Sequence, residues 1–584
     1  MAKYTILSIG PIYETMKVAD NTRAIWTVSF MFSYLMRETI QTLRTEKALK
    51  DDNFIVPCMN DEFEKYINNG QRAGLFHDRL IVSGDKADDL YDAYTLAVNS
   101  LIEIIIQTFE VSKNKKYVNK NVDPKKVKQY FENYFQSYVA TVDIADRENG
   151  KEVNPVLALS AYVDAVEYEP RLAPFADEEY LHDFLRLTNL GSLQEVSFGD
   201  DAKLVSKDRC FKSLPEISAW ELIRDQKEQW KKDHLCLKLS DATSLKENIK
   251  NPEQEVDEII KLLEKTFKSS KKQNDENKDE KVFKPYHKYV AVVQADGDGF
   301  GKYLENIGND TKKLQEFSTN IFKFASKSVE TIESYGGSVI MAGGDDLLFF
   351  APVVTDEINI LTLISKIDDI FDDVFGTDSD VSMSYGVSVS YYKFPLQEAF
   401  DIAYDALVGK AKASKWINKK ELNAEQVGNL TQNDVEALPA KNAIHLNIRK
   451  HSGQSHGLTL AKNTNIYKLF LTLLKNELDV DSKLHLPHAL HHALKMSASL
   501  LDTIDSKSLT HFFANQFDED VHKTKHKEAL SAIIEIFETL KDGNENQHLL
   551  HTDESEDEKL YSTESPSEVV FSILSTIKLL RGDA

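Results

Sequence analysis

The sequence predicts an α+β protein with two ferredoxin-like units of element order βαββαβ, separated by one helical domain and followed by another. Three observations lead to this prediction. Short apolar runs typical of strands alternate with long amphipathic helical patterns in residues 1–110 and again in residues 286–456. In residues 111–285 and 457–584 only helical periodicity is sustained. A chain of 584 residues is also too long for one hydrophobic core.

The composition is that of a globular protein from a reducing compartment. Hydrophobic residues make up 42% and charged residues 28% of the chain, and no apolar stretch is long enough to cross a membrane. The first ten residues have the pattern of a strand and not of a signal peptide, so we expect a cytoplasmic protein with no membrane partner. Cys58, Cys210 and Cys236 lie far apart, which excludes a disulfide framework and a cysteine-rich zinc site.

The net charge of -24 argues against broad, non-specific binding to nucleic acid. It leaves open a local basic groove and contact with RNA through partner subunits. It also leaves open a nucleotide substrate, because metal ions screen phosphates in acidic active sites.

The first unit, residues 1–110, ends in a glycine-containing loop and a strand–helix pair. His77 and Asp78 in this loop have the residue types of a metal-dependent phosphohydrolase pair. Such a site needs further His and Asp residues on helices, so an ordinary loop is the favoured interpretation. The predicted elements are strands Tyr4–Ile9, Phe54–Pro57 and Arg79–Val82 and helices at 18–43 and 87–109.

Residues 111–285 show no sustained strand alternation and no catalytic constellation. The polar stretch from Lys265 to Lys284 is nearly free of apolar residues and is interpreted as a linker at a domain boundary. Helices are predicted at 127–139, 174–187 and 217–230.

The second unit, residues 286–456, repeats the strand–helix order of the first. A buried strand, 289–293, leads into an acidic, glycine-rich turn, and two further strands flank a second acidic turn. The other predicted elements are helices from about 302, at 313–335, 357–371 and 397–416, and strands at 381–390 and 443–449.

Beyond Ser452 the sequence predicts helices alone. His488 and His492 stand four residues apart on one of them, which is the spacing of a helical metal pair. No third ligand accompanies them, so a partly exposed helix face is the favoured interpretation. The predicted helices are 458–478, 487–504, 508–516, 526–540 and 566–580.

The turn Gly343-Gly344-Asp345-Asp346 lies between two apolar runs and predicts a tight hairpin between buried strands. Gly343 and Gly344 suit a backbone with positive φ and allow a ligand close to the main chain. Adjacent carboxylates between apolar strands are costly unless a cation neutralises them. Considered alone, the turn favours an ordinary hairpin with solvated aspartates, since Gly-Asp turns are common.

A second acidic turn makes the metal interpretation stronger. Asp296 and Asp298 alternate at the end of a strand and therefore project to one side. If the two strand ends are neighbours, their carboxylates together form the oxygen-rich site that Mg²⁺ or Mn²⁺ prefers. Two such metals would activate a ribose hydroxyl and stabilise charge on the α-phosphate and the leaving pyrophosphate.

The residues around Asp298 suit a triphosphate. Gly297, Gly299 and Gly301, with Phe300 between the last two, leave main-chain amides open before a helix N-terminus. Lys412 is placed to reach the phosphates from the last helix of the unit. For Lys410 and Lys412 taken singly, a solvated surface lysine is the favoured interpretation.

The assembled pattern resembles the large subunit of type III-B CRISPR–Cas (Cmr) effector complexes, whose second Palm domain bears a Gly-Gly-Asp-Asp motif. The resemblance extends over nearly the whole chain. The matching stretches of the first Palm are 8–11, 21–35 and 74–79, and those of the second are 294–302, 342–347, 384–387, 393–396, 411–412 and 442–453.

The resemblance implies an RNA-activated nucleotidyltransferase that converts ATP to cyclic oligoadenylates when the complex captures target RNA. It implies other Cmr subunits, the guide CRISPR RNA and the target RNA as partners. Asp296 and Asp345 become metal ligands, with Asp346 supporting them, and Asp298 is the least certain ligand. Residues 1–110 become the non-catalytic first Palm.

The chain departs from many members of that family in two ways. It starts at the first Palm without an HD nuclease domain, so DNA cleavage is not expected, and it lacks cysteine ligands for a zinc site. Some relatives without the HD domain join ATP to S-adenosylmethionine, and no residue decides between the two products. A catalytically silent scaffold remains an alternative, as does a stand-alone cyclase of GGDEF type, which the second Palm disfavours.

Overall fold

The computed structural model divides into two compact units, Met1–Val282 with Gly299–Phe350 and Lys366–Val381, and Phe283–Asp298 with Ala351–Ser365 and Ser382–Ala584. Each unit has its own sheet and helices. The structure describes residues 2–59, 73–76, 78–112, 122–145, 147–148, 151–167, 180–188, 212–223, 284–356, 358–377, 380–478, 488–515, 524–543, 545–551 and 560–582. His77, Cys210, Cys236 and the predicted linker lie outside these residues.

The first unit contains a four-stranded antiparallel sheet in the order β2-β3-β1-β4, which is the ferredoxin-like order. Its fourth strand contradicts the prediction of helices alone after residue 110. Residues 136–144 pair with β1 along its whole length, so the first sheet extends past the predicted boundary. The elements are β1 (Ala2–Gly10), α1 (Ile12–Val18), α2 (Thr22–Thr45), β2 (Phe54–Val56), β3 (Arg79–Ser83), α3 (Ala87–Ser112), α4 (Pro124–Tyr134) and β4 (Gln136–Ile144).

Helix α2 begins at a capped residue and is buried over most of its length. The Asn21 side chain accepts a hydrogen bond from the Ala24 amide, which satisfies one of the free N–H groups of the first turn. Apolar side chains from Ile25 to Leu43 then pack against the sheet and α3. The remaining elements between the two ferredoxin-like segments are β5 (Arg147–Glu148), β6 (Lys151–Glu152), α5 (Pro155–Glu167), α6 (Tyr180–Thr188), α7 (Leu214–Ser218) and α8 (Trp220–Ile223).

The first unit also contains two helices, an antiparallel hairpin and most of a third helix from the second ferredoxin-like segment. Asp310 caps the longer helix by accepting from the amides of Lys312 and Lys313, and Gly336 ends it with φ of 105°. The Lys212 ammonium donates to the carbonyls of Gly336 and Gly337 at that end. The elements are α9 (Phe300–Ile307), α10 (Thr311–Tyr335), β8 (Ser338–Gly343), β9 (Asp346–Pro352, to Phe350 in this unit) and most of α11 (Ile360–Phe375).

In the second unit, four strands lie in the order β15-β14-β12-β7. Strands β12 and β14 are parallel, while β7 and β15 run antiparallel to their neighbours. The predicted helix at 458–478 is wrong at its start, because Ser455–Ala461 pairs with β14 as an added edge strand. The strands are β7 (Tyr289–Asp298), β10 (Val354–Thr355), β11 (Ile358–Asn359), β12 (Ser382–Tyr391), β14 (Ala443–Arg449) and β15 (Ser455–Ala461).

The predicted helix at 397–416 is interrupted. It runs as α12 (Leu396–Asp405), turns into a π-helical segment (Ala406–Ala411) and then gives way to the short strand β13 (Trp416–Asn418). Single π-helical turns are rare and occur frequently at functional sites. Two short helices follow, α13 (Ala424–Gly428) and α14 (Gln432–Glu436).

The C-terminal part of the second unit is mainly helical but contains two strands that sequence periodicity missed. Strand β16 pairs with β13 on one side and with β17 on the other. No helix among the described residues is long and apolar enough to span a membrane. The elements are α15 (Asn465–Leu478), α16 (His488–Thr503), α17 (Ser506–Ala514), α18 (Thr524–Asp542), β16 (Asn546–His551), β17 (Tyr561–Thr563) and α19 (Pro566–Arg581).

Candidate functional site

Asp296 and Asp298 lie at the end of β7, where the strand pairs with β12. Their partners in the antiparallel register are Ser384 and Ser382. Since side chains two residues apart share a face of a strand, the two carboxylates and the two hydroxyls lie on one face. The prediction that both aspartates project to one side of the turn is therefore confirmed.

Asp298 is buried and fixed by hydrogen bonds. Its Oδ2 accepts from Ser382 Oγ at 3.2 Å, from Ser384 Oγ at 2.6 Å and from the Asn442 amide at 3.0 Å. Asn442 and Lys441 both have positive φ, 48° and 72°, a conformation that is costly for residues with a side chain. The hydrogen bond from the Asn442 amide therefore helps to hold a strained turn beside the end of β7.

Lys412 follows the π-helical segment and reaches the same strand end. Its ammonium contacts the Asp296 carboxylate and donates to the Gly297 carbonyl at 3.1 Å. Burial, with a smaller contribution from Lys441, lowers the pKa of Lys412 to about 8, so the side chain is still mostly protonated at pH 7. Lys410 is exposed and is therefore the solvated surface lysine of the alternative interpretation. Of the two candidates, Lys412 is the one at the acidic turn.

Gly386 allows α12 and the π-helical segment, which lead to Lys412, to lie close to the sheet. This residue sits in the middle of β12, and a Cβ there would come within 2.2 Å of the Leu407 nitrogen and 2.3 Å of the Ala403 carbonyl oxygen. Only glycine permits this approach of helix backbone to strand. The packing of α12 and the π-helical segment on β12 thus sets the position of Lys412.

The glycine-rich stretch after Asp298 is only partly available to a ligand. Gly299 has φ of 83°, and a Cβ there would lie 2.5 Å from the Asp380 carbonyl oxygen, so this glycine is required by local packing. The space around the Cβ position of Gly301 is open to 4 Å. Phe300, predicted to bind the nucleotide, is buried, with its ring against Phe317, Phe371 and Phe375. Its ring therefore belongs to the core.

The second acidic turn is a tight hairpin, as predicted, and its loop has two residues. Gly343 pairs with Asp346 across β8 and β9, which leaves Gly344 and Asp345 as the loop. Gly344 has φ of 71°, and a positive φ at the first loop residue is where glycine is preferred in type II′ hairpins. A Cβ on Gly343 would lie 3.5 Å from the Phe76 carbonyl oxygen, in ordinary contact.

A loop of the first ferredoxin-like segment lies beside this hairpin, within the same unit. Gly74 makes two backbone hydrogen bonds to β8. Its amide donates to the Ile340 carbonyl, and its carbonyl accepts from the Ala342 amide. Gly74 is also pressed against Ser29 of α2, where a Cβ would come within 2.3 Å of the hydroxyl. The loop is thereby fixed between α2 and the hairpin.

This loop brings a third carboxylate to the hairpin. The pKa of Asp346 is raised well above 3.8, first by desolvation and then by repulsion from Asp345 and Asp78. Because Asp346 is exposed to solvent at the hairpin, the negative charges of Asp345 and Asp78 are the more important cause. Asp78 was assigned to an ordinary loop from the sequence, since its position depends on a long-range pairing between Gly74 and Met341 that no local pattern reveals.

The carboxylates fit a divalent cation that retains substrate and water ligands. Among the described residues there is no preassembled group of three or more His, Cys, Asp or Glu side chains that could hold a metal. Mg²⁺ in nucleotide enzymes is typically held by one or two carboxylates plus phosphate oxygens and waters. In the first unit the surplus negative charge around Asp346 suits such a cation, and in the second unit the partly exposed Asp296 carboxylate does so as well. His488 and His492 lie on α16, far along the chain from either acidic turn.

Comparisons with known proteins agree with the two ferredoxin-like segments. Residues 4–131 match the family described as CRISPR-associated protein Cmr2, N-terminal, and residues 289–421 match Cas10/Cmr2, second palm domain. No curated protein matches the sequence.

Two solved structures with the same fold are the apo state of a type III-B Cmr-beta complex and the same complex bound to cognate target RNA. Both are 12% identical to this chain with a TM-score of 0.57. The first match covers 98% of this chain and 82% of the other, and the second covers 99% and 83%. At this identity the likeness is one of fold.

Proposed function

We propose, from the two matched domains, that the chain is a member of the Cas10/Cmr2 family and the nucleotidyltransferase subunit of a type III CRISPR effector complex. The proposed reaction makes a cyclic oligoadenylate from ATP when the complex captures target RNA. The observation that supports it best is the half-buried Lys412 in contact with Asp296 inside the matched palm domain.

The proposed roles follow from burial and charge. Asp296 is partly exposed, with 25% of its side chain accessible, and is free to exchange its lysine partner for a metal ion. Asp345 and Asp346 lie at a hairpin with an excess of negative charge. Lys412, protonated at neutral pH, supplies a positive charge for the triphosphate.

Bound Mg²⁺ or Mn²⁺ would supply Lewis-acid stabilisation of the α-phosphate and of the attacking oxygen. In the proposed step, a ribose hydroxyl oxygen of one nucleotide forms a bond to the α-phosphorus of ATP. The bond from that phosphorus to the oxygen bridging to the β-phosphate breaks, pyrophosphate leaves, and the hydroxyl proton passes to solvent. The chain's part is to supply the carboxylates that bind the metal ions and the Lys412 ammonium that binds the triphosphate.

The test is ATP consumption by the complex reconstituted with guide and target RNA. We expect Asp345→Ala with Asp346→Ala to abolish turnover while leaving RNA binding unchanged. A matched control is Asp372→Ala with Asp373→Ala, which removes an adjacent, exposed aspartate pair from α11 and should leave turnover unchanged. Turnover that survives the first double substitution would overturn the proposed role of these carboxylates, and a wild-type complex that consumes no ATP would favour the silent scaffold.

Mass spectrometry of the products, with and without S-adenosylmethionine, identifies the molecule that attacks ATP. Cyclic oligoadenylates that form regardless of S-adenosylmethionine are the expected result. A product that contains both adenylate and S-adenosylmethionine would replace cyclisation with conjugation, while the same carboxylates and Lys412 would still be required.

A further inference from the structure

Asp296 and Asp298 share a face of β7 but have different surroundings. The Asp298 side chain is 5% accessible, against 25% for Asp296. A carboxylate that binds a metal in an open site needs an oxygen directed to that site with a free lone pair. The two aspartates therefore have different roles, although a strand alternation makes them look equivalent.

The two oxygens of Asp298 are engaged differently. Oδ2 already accepts three hydrogen bonds, from Ser382, Ser384 and the Asn442 amide, which exhausts its capacity. Oδ1 is enclosed and has no hydrogen-bond donor among the described residues. A buried oxygen without a donor is costly, so a cationic group beside it is stabilising.

The Lys412 ammonium is that group. It lies 3.9 Å from Asp298 Oδ1 while it contacts Asp296 and donates to the Gly297 carbonyl. A movement of about 1 Å would bring it within hydrogen-bond distance of Oδ1. A lysine side chain accommodates such a movement by small rotations of its four-carbon stem.

We propose that Asp298 is a positioning residue for Lys412 and not a metal ligand. Its Oδ2 fixes the turn at Lys441 and Asn442, and its Oδ1 keeps the ammonium at the strand end when Asp296 gives up the lysine for a metal ion. This rests on the proposed function for the identity of the ligand, whereas the coupling between Asp298 and Lys412 exists in the protein without nucleotide.

The first measurement compares Mn²⁺ binding, followed by electron paramagnetic resonance, in the full chain with a non-hydrolysable ATP analogue. With the analogue at a concentration that saturates each variant, we expect Asp296→Asn to weaken Mn²⁺ binding about tenfold or more and Asp298→Asn to change it less than about twofold. Equal losses in the two variants would make Asp298 a metal ligand and overturn the proposal.

The second measurement is a double-mutant cycle on the affinity for the ATP analogue, with Asp298→Asn, Lys412→Met and both together. Each single substitution should lower the affinity about tenfold, and the double variant should be no weaker than Lys412→Met alone. If the fold-loss of affinity in the double variant equals the product of the two single fold-losses, Asp298 and Lys412 act independently and the proposal is overturned.

Ser384→Ala separates positioning from general stability. It removes one donor to Oδ2 and leaves Oδ1 and its charge in place. We expect it to lower Tm about as much as Asp298→Asn while affecting analogue affinity less than twofold. If affinity falls in step with Tm in both variants, Asp298 is merely structural.

A wild-type chain that binds no nucleotide would refute the proposed function and not this inference. The cycle is then measured on Tm without nucleotide, where a combined shift smaller than the sum of the single shifts supports coupling between Asp298 and Lys412. Strictly additive shifts would end the proposal in that case.

Discussion

Gly386→Ala is the substitution that most directly tests how Lys412 is positioned. The new Cβ would meet the Leu407 nitrogen at 2.2 Å, the Ala403 carbonyl oxygen at 2.3 Å and the Ala406 carbonyl carbon at 2.8 Å. All three atoms belong to helix backbone, so no side chain can turn away to make room. To reach ordinary contact at 3.4 Å or more, α12 and the π-helical segment must move by about 1 Å.

This displacement determines the expected magnitude. Overpacking of this kind costs about 1–3 kcal/mol in the free energy of unfolding, and we expect the upper end because backbone is the obstacle. A displacement of about 1 Å at a catalytic group lowers turnover about a hundredfold. Lys412 follows the displaced segment directly, so the loss of turnover should exceed the loss that destabilisation alone would cause.

The assay pairs thermal unfolding of the full chain with ATP turnover in the RNA-bound complex. Gly428→Ala is the matched control, because that glycine ends α13 in the same unit and nothing lies within 4 Å of its Cβ position. The control should be neutral in both measurements. If Gly386→Ala is as stable and as active as the control, the close helix–strand packing does not place Lys412.

Three further predictions follow from charge and burial. Burial lowers the pKa of His445 to about 4, below its unfolded value near 6.5, so between these values the unfolded state binds the extra proton. The contribution to the free energy of unfolding is complete above pH 6.5 and falls by about 2 kcal/mol by pH 5. His445→Gln should flatten this pH dependence in thermal unfolding. Asp346→Asn should raise Tm in EDTA, because it removes a charge repelled by Asp345 and Asp78, while Mn²⁺ should stabilise wild type more than this variant. Lys212→Met should lower the free energy of unfolding by about 1–2 kcal/mol, measured in urea, because the carbonyls of Gly336 and Gly337 lose their charged donor.

Local patterns predicted those parts of the site that lie within one or two consecutive elements. The end of β7, the hairpin from Gly343 to Asp346 and the helix before Lys412 each have a strong signal, because strand alternation and paired glycines are properties of a few adjacent residues. The division of roles between Asp296 and Asp298 has no such signal. It depends on Ser384 and Asn442, which are 86 and 144 residues from Asp298.

The missed strands have a related physical reason. Residues 138–144 do alternate, with Ala140, Val142 and Ile144 on the core face, but the helix predicted at 127–139 overlaps the start of this strand and obscures the period-2 pattern. Strand β15 joins the sheet by antiparallel pairing with β14, and its first three residues are polar or glycine. The ring of Phe300 is buried by Phe317 and Phe371, which are distant in sequence, so no pattern near Phe300 reveals its place in the core.

Lys412 is held from both directions along the chain. Before it, the π-helical segment rests on Gly386; after it, β13 pairs with β16, where Trp416 faces His548 and the Leu549 amide donates to the Lys415 carbonyl at 2.9 Å. The strand that fixes the downstream side therefore comes from residues 546–551, more than 130 positions later than the lysine. A cation that must move by about 1 Å between two carboxylates needs a rigid backbone on both sides, because only the side chain should move. The C-terminal segment bears none of the proposed site residues, and its pairing of β16 with β13 next to Lys412 meets this requirement.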